Sequence, residues 1–179
     1  MTFFKRVTLF LGVLSFSIIS LSCGYSATSL LPGQLKTIYV EPVKNSINYT
    51  AEGQRNLYIP LLEVKVRNAI INRFLLDGNL KITEPGKADL ILKAELINYA
   101  SDELRVSDEN IVDEYRIAVT VSLELLDTDK QEVRWREGSF SGEETYNVSG
   151  PLAKSEETAR QEALEDLARR VVERTIEDW

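Results

Sequence analysis

The stretch EYRIAVTVSLELLD, residues 114–127, alternates apolar and polar side chains along its whole length. Successive side chains of an extended strand point to opposite sides, so its apolar residues share one face: Tyr115, Ile117, Val119, Val121, Leu123 and Leu125. The opposite face carries Arg116, Thr120, Ser122 and Glu124. This pattern predicts a strand that packs one face against a core and exposes the other.

Extended segments are also predicted before this strand. The residues LKIT (80–83) and ADLILKAELINY (88–99) form one interrupted or two short strands. Residues on one face of the second segment are Leu90, Leu92, Ala94 and Leu96. The segment from Ser101 to Asp113 is polar and acidic, and we interpret it as a loop. The strand at 88–99 is therefore predicted to be the antiparallel neighbour of the strand at 114–127.

A third strand is predicted after the turn DTDK (127–130). The segment EVRWREGSFSGEETYN, residues 132–147, places Val133 and Trp135 on one face, and Gly138 is a candidate for a β-bulge. The three segments together predict a meander of antiparallel strands. A further strand, LKTIYVEPVKN, lies near the start of the domain and is interrupted at Pro42.

Two helices complete the predicted domain. The first follows Pro60 and ends near Gly78, with one apolar stripe at spacings of three and four: Leu62, Val66, Ala69, Ile70 and Phe74. The second starts at Ser155 and carries the stripe Leu164, Leu167, Ala168, Val171, Val172 and Thr175 or Ile176, with Arg160, Glu165, Arg169, Arg170 and Glu173 directed to water. The predicted fold class is α+β, with two helices packed on one face of a mixed four-stranded sheet in the order β-α-β-β-β-α.

The first 22 residues have the pattern of a signal for export. Lys5 and Arg6 precede an uncharged apolar run from Val7 to Leu21, which is shorter than the ~20 apolar residues of a membrane-spanning helix. Cys23, the single cysteine, follows directly. We predict a removed signal at 1–22, a flexible tether at 23–35 that begins with Cys23, and one domain at 36–179.

Composition excludes several classes of function. Without the two cations of the signal, the chain has 19 Lys and Arg against 28 Asp and Glu, a net charge of −9. This charge argues against nucleic-acid binding, which requires neutralisation of phosphates by cations. The chain has no histidine, which excludes Ser-His-Asp and Cys-His catalysis and histidine metal sites. We expect no enzyme activity, no cofactor and no metal.

The chain resembles the lipopolysaccharide-assembly lipoprotein family LptE over essentially the whole mature sequence. The resemblance rests on Cys23-Gly24-Tyr25, Leu31-Pro32-Gly33, TIYVEPVKN (37–45), the helix that ends in Asp-Gly, and ADLILKAELINY (88–99). The residues around Cys23 also resemble a bacterial lipoprotein signal, in which the cysteine is acylated, with palmitate among the chains. Gly24 follows it where aspartate retains many lipoproteins in the inner membrane.

The resemblance implies an outer-membrane lipoprotein that faces the periplasm. Such a protein sits in the lumen of the β-barrel LptD and helps to place lipopolysaccharide in the outer leaflet. An alternative is a regulatory binding lipoprotein of the penicillin-binding-protein activator or curli-secretion type, which also has a strand, a proline and an asparagine after its lipidated cysteine. Those proteins generally have more helices between their strands.

Two sets of residues are candidates for contacts with these partners. A cationic cluster near the last strand could bind the phosphates of lipid A, or could simply protect the sheet edge: Lys130, Arg134 and Arg136. Candidates for contact with the barrel are the residues that alternate with Leu90, Leu92 and Leu96 and should lie on the sheet face away from the helices: Ile91, Ile97 and Tyr99.

Overall fold

The computed structural model describes residues 35–50, 58–108 and 110–177. The predicted signal at 1–22, Cys23, Gly24 and the tether as far as residue 34 lie outside the described residues. The described part begins at Leu35, close to the predicted start of the domain.

The described residues form two α-helices and six strands. The helices are α1 (Leu62–Asp77) and α2 (Glu156–Glu177), and a 3₁₀ turn spans Pro85–Lys87. The strands are β1 (Thr37–Val40), β2 (Lys44–Asn45), β3 (Lys81–Ile82), β4 (Leu90–Val106), β5 (Val112–Asp127) and β6 (Glu132–Asn147). The predicted α+β class is confirmed. Two very short strands, β2 and β3, raise the strand number from four to six.

The sheet is mixed, in the spatial order β3-β1-β4-β5-β6, with β2 also paired to β4. Strand β1 is parallel to both β3 and β4, whereas β4, β5 and β6 form the predicted antiparallel meander. The expected loop at 101–113 is wrong for most of its length, because the ladder continues from Ser101↔Ile117 to Val106↔Val112. Residues 102–106 of β4 are exposed there and residues 112–116 of β5 are half-buried, so the alternation of buried and exposed residues is lost while backbone pairing persists.

Helix α1 covers one end of the sheet. The predicted stripe is confirmed: Leu62, Val66, Ile70 and Phe74 are fully buried, and Ala69 is half-buried against the core. The helix begins at Leu62 and not at Pro60, since Leu61 has a left-handed φ of 58°. It ends as predicted, because Gly78 has a φ of 77° and its N–H donates to the Phe74 carbonyl over 3.0 Å.

Helix α2 packs on β5 and β6. Ser155 begins it as predicted, since the Thr158 N–H donates to its Oγ over 3.1 Å. The predicted stripe is buried, and α2 lies so close to β6 that a Cβ at Gly142 would overlap the Leu167 backbone. The prediction that Arg160 points to water is wrong: its side chain is 13% exposed, because it is held between α2 and the sheet. No helix in the described ranges has the length and apolarity needed to cross a membrane.

The β4–β5 and β5–β6 pairings contain five register shifts, and three of them bear on the predicted faces of the sheet. The pairing of β4 with β5 skips Ile97, so Asn98 pairs with Thr120 and Tyr99 with Val119. The pairing of β5 with β6 skips Arg134, and a third irregularity at Gly138 agrees with the predicted bulge. A bulge adds one residue to a period of two, so every later residue changes face.

Two face assignments are therefore wrong. Tyr99 is 1% exposed and lies in the core, not on the outer face. Val133 pairs with Leu126 and Trp135 with the buried Leu125, so they do not share a face.

Candidate interaction surface

The sheet face opposite the helices is uncovered in the described part of the chain, and we call it the open face. One row of apolar side chains crosses four of its strands. Cross-strand pairs link Tyr39 to Ile91, Ile91 to Leu126, and Leu126 to Val133. The first three are half-buried, and Val133 is 37% exposed. The row is therefore a continuous apolar strip across the sheet.

A charged row lies beside this strip. The Lys93 ammonium is 3.4 Å from Glu124, and Arg136 also contacts Glu124 across the β5–β6 pair. Arg136 and, to a smaller degree, Lys93 lower the pKa of the Glu124 carboxyl, although burial opposes them. Two residues further along β4, the Glu95 carboxylate lies 2.7 Å from the ammonium of Lys44 in β2. Together these residues place three cations and two carboxylates side by side on the open face.

A groove of about 410 Å³ lies over the charged row. Its walls come from the loop after β1 and from β4, β5 and β6, with the β-bulge at Gly138 on one side. Glu41, Lys44, Lys93, Glu95 and Arg136 are among the residues that line it. The groove thus offers alternating cations and carboxylates to a partner, next to an apolar strip.

The three predicted cations do not form one phosphate site. Each contacts a carboxylate: Lys130 with Glu132 at 3.8 Å, Arg136 with Glu124, and Arg134 with Asp127. Arg136 has the most exposed of the three side chains, at 69%. It therefore is the member of the set that a ligand in the groove can reach.

Arg134 has a structural contact. Its Nε donates to the Asp127 carboxylate over 3.0 Å, and Asp127 is 1% exposed. Burial alone would raise the pKa of Asp127, but hydrogen bonds from the Lys130 backbone N–H and from Arg134 outweigh it and lower that pKa. Arg134 thus neutralises a buried carboxylate at the β5–β6 turn.

The three predicted barrel contacts separate into two groups. Ile91 and Ile97 are half-buried and alternate with the buried residues of β4, as expected for the open face. Tyr99 lies beneath α2, where its hydroxyl donates to Glu156 over 3.2 Å. Burial raises the pKa of Tyr99 to about 12. Only Ile91 and Ile97 are therefore positioned for contact with a partner at the open face.

Sequence reasoning missed Tyr39, Leu126 and Val133 as neighbours of Ile91. Tyr39 and Leu126 do alternate with buried residues of their predicted strands, which was the available signal. Strand order and register, which bring them into one row, are not encoded in that alternation. Val133 was hidden by the bulge at Arg134.

Comparisons with known proteins agree with this architecture. Protein XCC0632 from Xanthomonas campestris, described under the family DUF330, has a similar fold: the TM-score is 0.56 and the identity 14%, over 78% of this chain and 83% of that one. The hypothetical protein CT253 from Chlamydia trachomatis is also similar, with a TM-score of 0.51 and 13% identity over 79% and 95%. No protein of curated function matches the sequence significantly.

The family comparison is more specific than these likenesses of fold. The model of the LptE family, described as lipopolysaccharide-assembly, matches residues 35–175. The match spans β1 through α2, and so includes the open face and both helices. The chain therefore belongs to the LptE lipopolysaccharide-assembly family.

Proposed function

We propose that this protein is an outer-membrane lipoprotein, anchored through Cys23, that plugs and helps to assemble an LptD-like β-barrel for lipopolysaccharide transport to the outer leaflet. Its membership of the LptE family supports the assembly role. The order of a positive segment, an apolar run and Cys23 supports the anchor, and Gly24 supports export to the outer membrane. The protein acts by binding its partners and does not convert a substrate.

The observation that carries this proposal is the open face. One face of the sheet is covered by α1 and α2, whereas the other presents the apolar strip from Tyr39 to Val133 beside a row of ion pairs. Permanent complexes bury 2,000 Å² or more and are partly apolar. The open face provides an apolar centre of this kind, with a charged margin.

The groove over the charged row is the proposed place of contact with lipopolysaccharide. Arg136 is exposed, and its guanidinium can contact a phosphate if its ion pair with Glu124 breaks or if it binds both groups at once. Arg–phosphate contacts are strong and can be bidentate. Lys130 is exposed as well and lies at the β5–β6 turn. Arg134 has no part in this proposal, because it is paired with a buried carboxylate.

The anchor is tested by Cys23→Ser in the native host. A single acyl chain gives marginal membrane affinity, and two or more make attachment stable. The variant should fold but leave the membrane fraction, while the unchanged protein should fractionate with outer-membrane markers. Membrane retention of Cys23→Ser contradicts the anchor, and residence of the native protein in the inner membrane contradicts the proposed sorting through Gly24.

The partner is tested by purifying the tagged lipoprotein from membranes and identifying the proteins that accompany it. A β-barrel of the LptD type should co-purify with the native chain, and Ile91→Glu or Ile97→Glu should reduce its amount. The matched control is Ile111→Glu, an exposed position in the β4–β5 hairpin. Loss of the barrel in the control as well, or in neither variant, contradicts the open face as the contact surface. A penicillin-binding protein or a secretion component in place of the barrel favours the regulatory alternative.

A further inference from the structure

Helix α1 has two apolar stripes. One is the buried stripe from Leu62 to Phe74, which faces the sheet. The other lies on the side away from the sheet at spacings of three and four, and Asn68 is its one polar member: Leu61, Val64, Asn68, Ile71 and Leu75. Ile71 is half-buried and packs against the core. We call the exposed apolar members of this stripe, Leu61, Val64 and Leu75, the outer face of α1.

The outer face of α1 is exposed in the described structure. Leu61 and Leu75 are each 62% exposed and Val64 is 44% exposed. Leu76, 80% exposed, lies on the side towards α2, where it lines a groove with Gln161 and Glu165. Single exposed apolar residues are common on protein surfaces, but a row of them on one helix face marks a site of contact. Helix α2 packs beside α1 and leaves this face uncovered, so its occupant must come from elsewhere.

The chain enters the described domain near one end of this face. The chain enters the domain at Lys36, whose carbonyl accepts a hydrogen bond over 2.8 Å from the N–H of Lys81, four residues after the end of α1. Eleven residues, 24–34, separate Leu35 from the acylated position, and this length of chain can span at most ~40 Å. The outer face of α1, about 16 Å long from Val64 to Leu75, is therefore within reach of the bilayer.

Charges near the entry point suit lipid headgroups. Lys36 and Lys81 are exposed and have no ion pair with another described residue. Of the nearby acids, Glu84 pairs with Lys87 at 3.0 Å, whereas Asp77 accepts the N–H of Asn79 over 3.2 Å and keeps its negative charge. Lysines beside an apolar surface can extend to the phosphates of a membrane.

We propose that the outer face of α1 lies on the surface of the lipid bilayer that holds the acyl chains of Cys23. The proposal rests on the proposed lipid anchor and concerns the lipoprotein before a barrel encloses it. An interfacial helix of this kind buries its apolar side ~5–10 Å into the boundary between headgroups and acyl chains. The net charge of the mature chain is negative, so the anchor, and not general electrostatic attraction, holds the helix there.

This orientation has a consequence for the partner surface. Helix α1 lies between the bilayer and the sheet, so the open face points away from the membrane and stays accessible. A second copy of the chain fits the outer face less well. Stable dimers bury roughly 1,200–2,000 Å² in total, which is more than one short helix face interrupted by Asn68 provides.

Site-specific labelling tests the proposal with the lipidated chain. Because Cys23 is the single cysteine and is acylated, one introduced thiol can carry a fluorophore. Val64→Cys and Leu75→Cys report the two ends of the outer face, and Ile111→Cys, 57% exposed in the β4–β5 hairpin, is the matched control. Each protein is placed in vesicles of phosphatidylethanolamine and phosphatidylglycerol that contain a spin-labelled quenching lipid.

The expected result is a several-fold larger loss of fluorescence at positions 64 and 75 than at 111. If the protein floats with the vesicles but all three positions are quenched equally, α1 does not lie on the bilayer. That result contradicts the proposal and leaves the anchor intact. Quenching at position 75 alone also overturns it, because the helix then does not lie flat. Failure to float overturns both the anchor and the seating. A doubled mass in detergent without quenching assigns the outer face to a second copy.

Discussion

The two helices cover the same face of the sheet but differ on the side away from it. Helix α2 directs an acidic and basic surface outward, where Arg169 contacts Asp166 at 2.5 Å and Glu173 at 2.8 Å. Helix α1 directs Val64 and Leu75 outward, and Leu61 precedes them on the same side. It therefore has exposed apolar residues on the side away from the sheet, in addition to its buried stripe.

The difference extends to how each helix holds the sheet. Helix α2 adds polar contacts to its apolar stripe: Arg174 donates to Glu137 over 3.0 Å and stacks on Trp135, and Arg170 lies over the Phe140 ring. In α1, Arg67 donates to the Val40 carbonyl over 2.9 Å. Since both inner faces are complete, the exposed apolar side of α1 is not a deficiency of the core. The exposed apolar side of α1 instead indicates a surface that contacts another molecule or a membrane.

The largest expected effect separates the two sides of α1 at adjacent positions. Phe74→Ala removes a fully buried ring and should lower the free energy of unfolding by about 3–5 kcal/mol. Leu75→Ala, one residue later and 62% exposed, should change it by less than about 0.5 kcal/mol. Urea unfolding of both variants measures the difference. Similar losses would show that the outer face of α1 is part of the core, and would remove the contrast between the helices.

The second prediction concerns two carboxylates, Asp89 and Asp127, that hold neighbouring segments of the sheet together. Asp89, directly before β4, accepts hydrogen bonds from the Lys36 N–H at 2.8 Å and the Thr37 N–H at 2.9 Å, and these bonds lower its pKa. Asp127, at the β5–β6 turn, is held by Arg134. Asp127→Asn leaves Arg134 without its buried partner and should cost about 2–3 kcal/mol at neutral pH.

The sign of the pH dependence follows from these shifts. Both carboxyls have folded-state pKa values below the ordinary 3.8, so the unfolded chain binds protons first as the pH falls. The stability that they contribute is complete above about pH 5 and is lost progressively below pH 4. Thermal unfolding between pH 7 and pH 3 should show this loss, and Asp127→Asn should show a smaller one. An equal acid-induced loss in the variant would mean that Asp127 has no part in it.

The third prediction tests how closely α2 is held. A Cβ at Gly142 would overlap the backbone N of Leu167 and the carbonyl O of Ala163, so α2 must move outward to admit it. Gly142→Ala should cost about 1–3 kcal/mol, as overpacking of a core does. Gly138→Ala, with open space around its Cβ, is the matched control and should cost less. Equal effects would show that the close approach of α2 is unimportant for stability.

The sequence correctly predicted the elements in which apolar residues recur at a constant spacing. Residues 114–127 and both helical stripes keep their periods over several turns or pairs, and they were placed correctly. Errors began where one bulged residue changed the phase. Ile97 moved Tyr99 from the open face to the core, and Arg134 separated Val133 from Trp135. A bulge depends on backbone pairing with the neighbouring strand, so it leaves little trace in a single sequence.

The candidate site was predictable to the same extent. Ile91 lies before the bulge of β4 and was assigned to the correct face, but its neighbours in the apolar strip come from three other strands. Arg134 looked equivalent to Arg136 in sequence. Their roles differ because the partner of Arg134 is a buried carboxylate, and that depends on the turn geometry around Asp127.

The smallest expected effect concerns the outward sides of the two helices. Arg169→Gln removes exposed ion pairs on α2, which contribute at most about 0.5–1 kcal/mol to stability. Leu75→Gln exposes no new apolar surface on α1 and should cost less than about 0.5 kcal/mol, since glutamine is also a good helix former. Denaturant unfolding of the two variants should therefore give nearly the same free energy. If it does, stability does not explain why one outward side is charged and the other apolar, and the reason must lie in what each side touches. If Leu75→Gln alone destabilises the isolated domain by 2 kcal/mol or more, about the loss expected of a core residue, the outer face of α1 serves the fold and is not a docking surface.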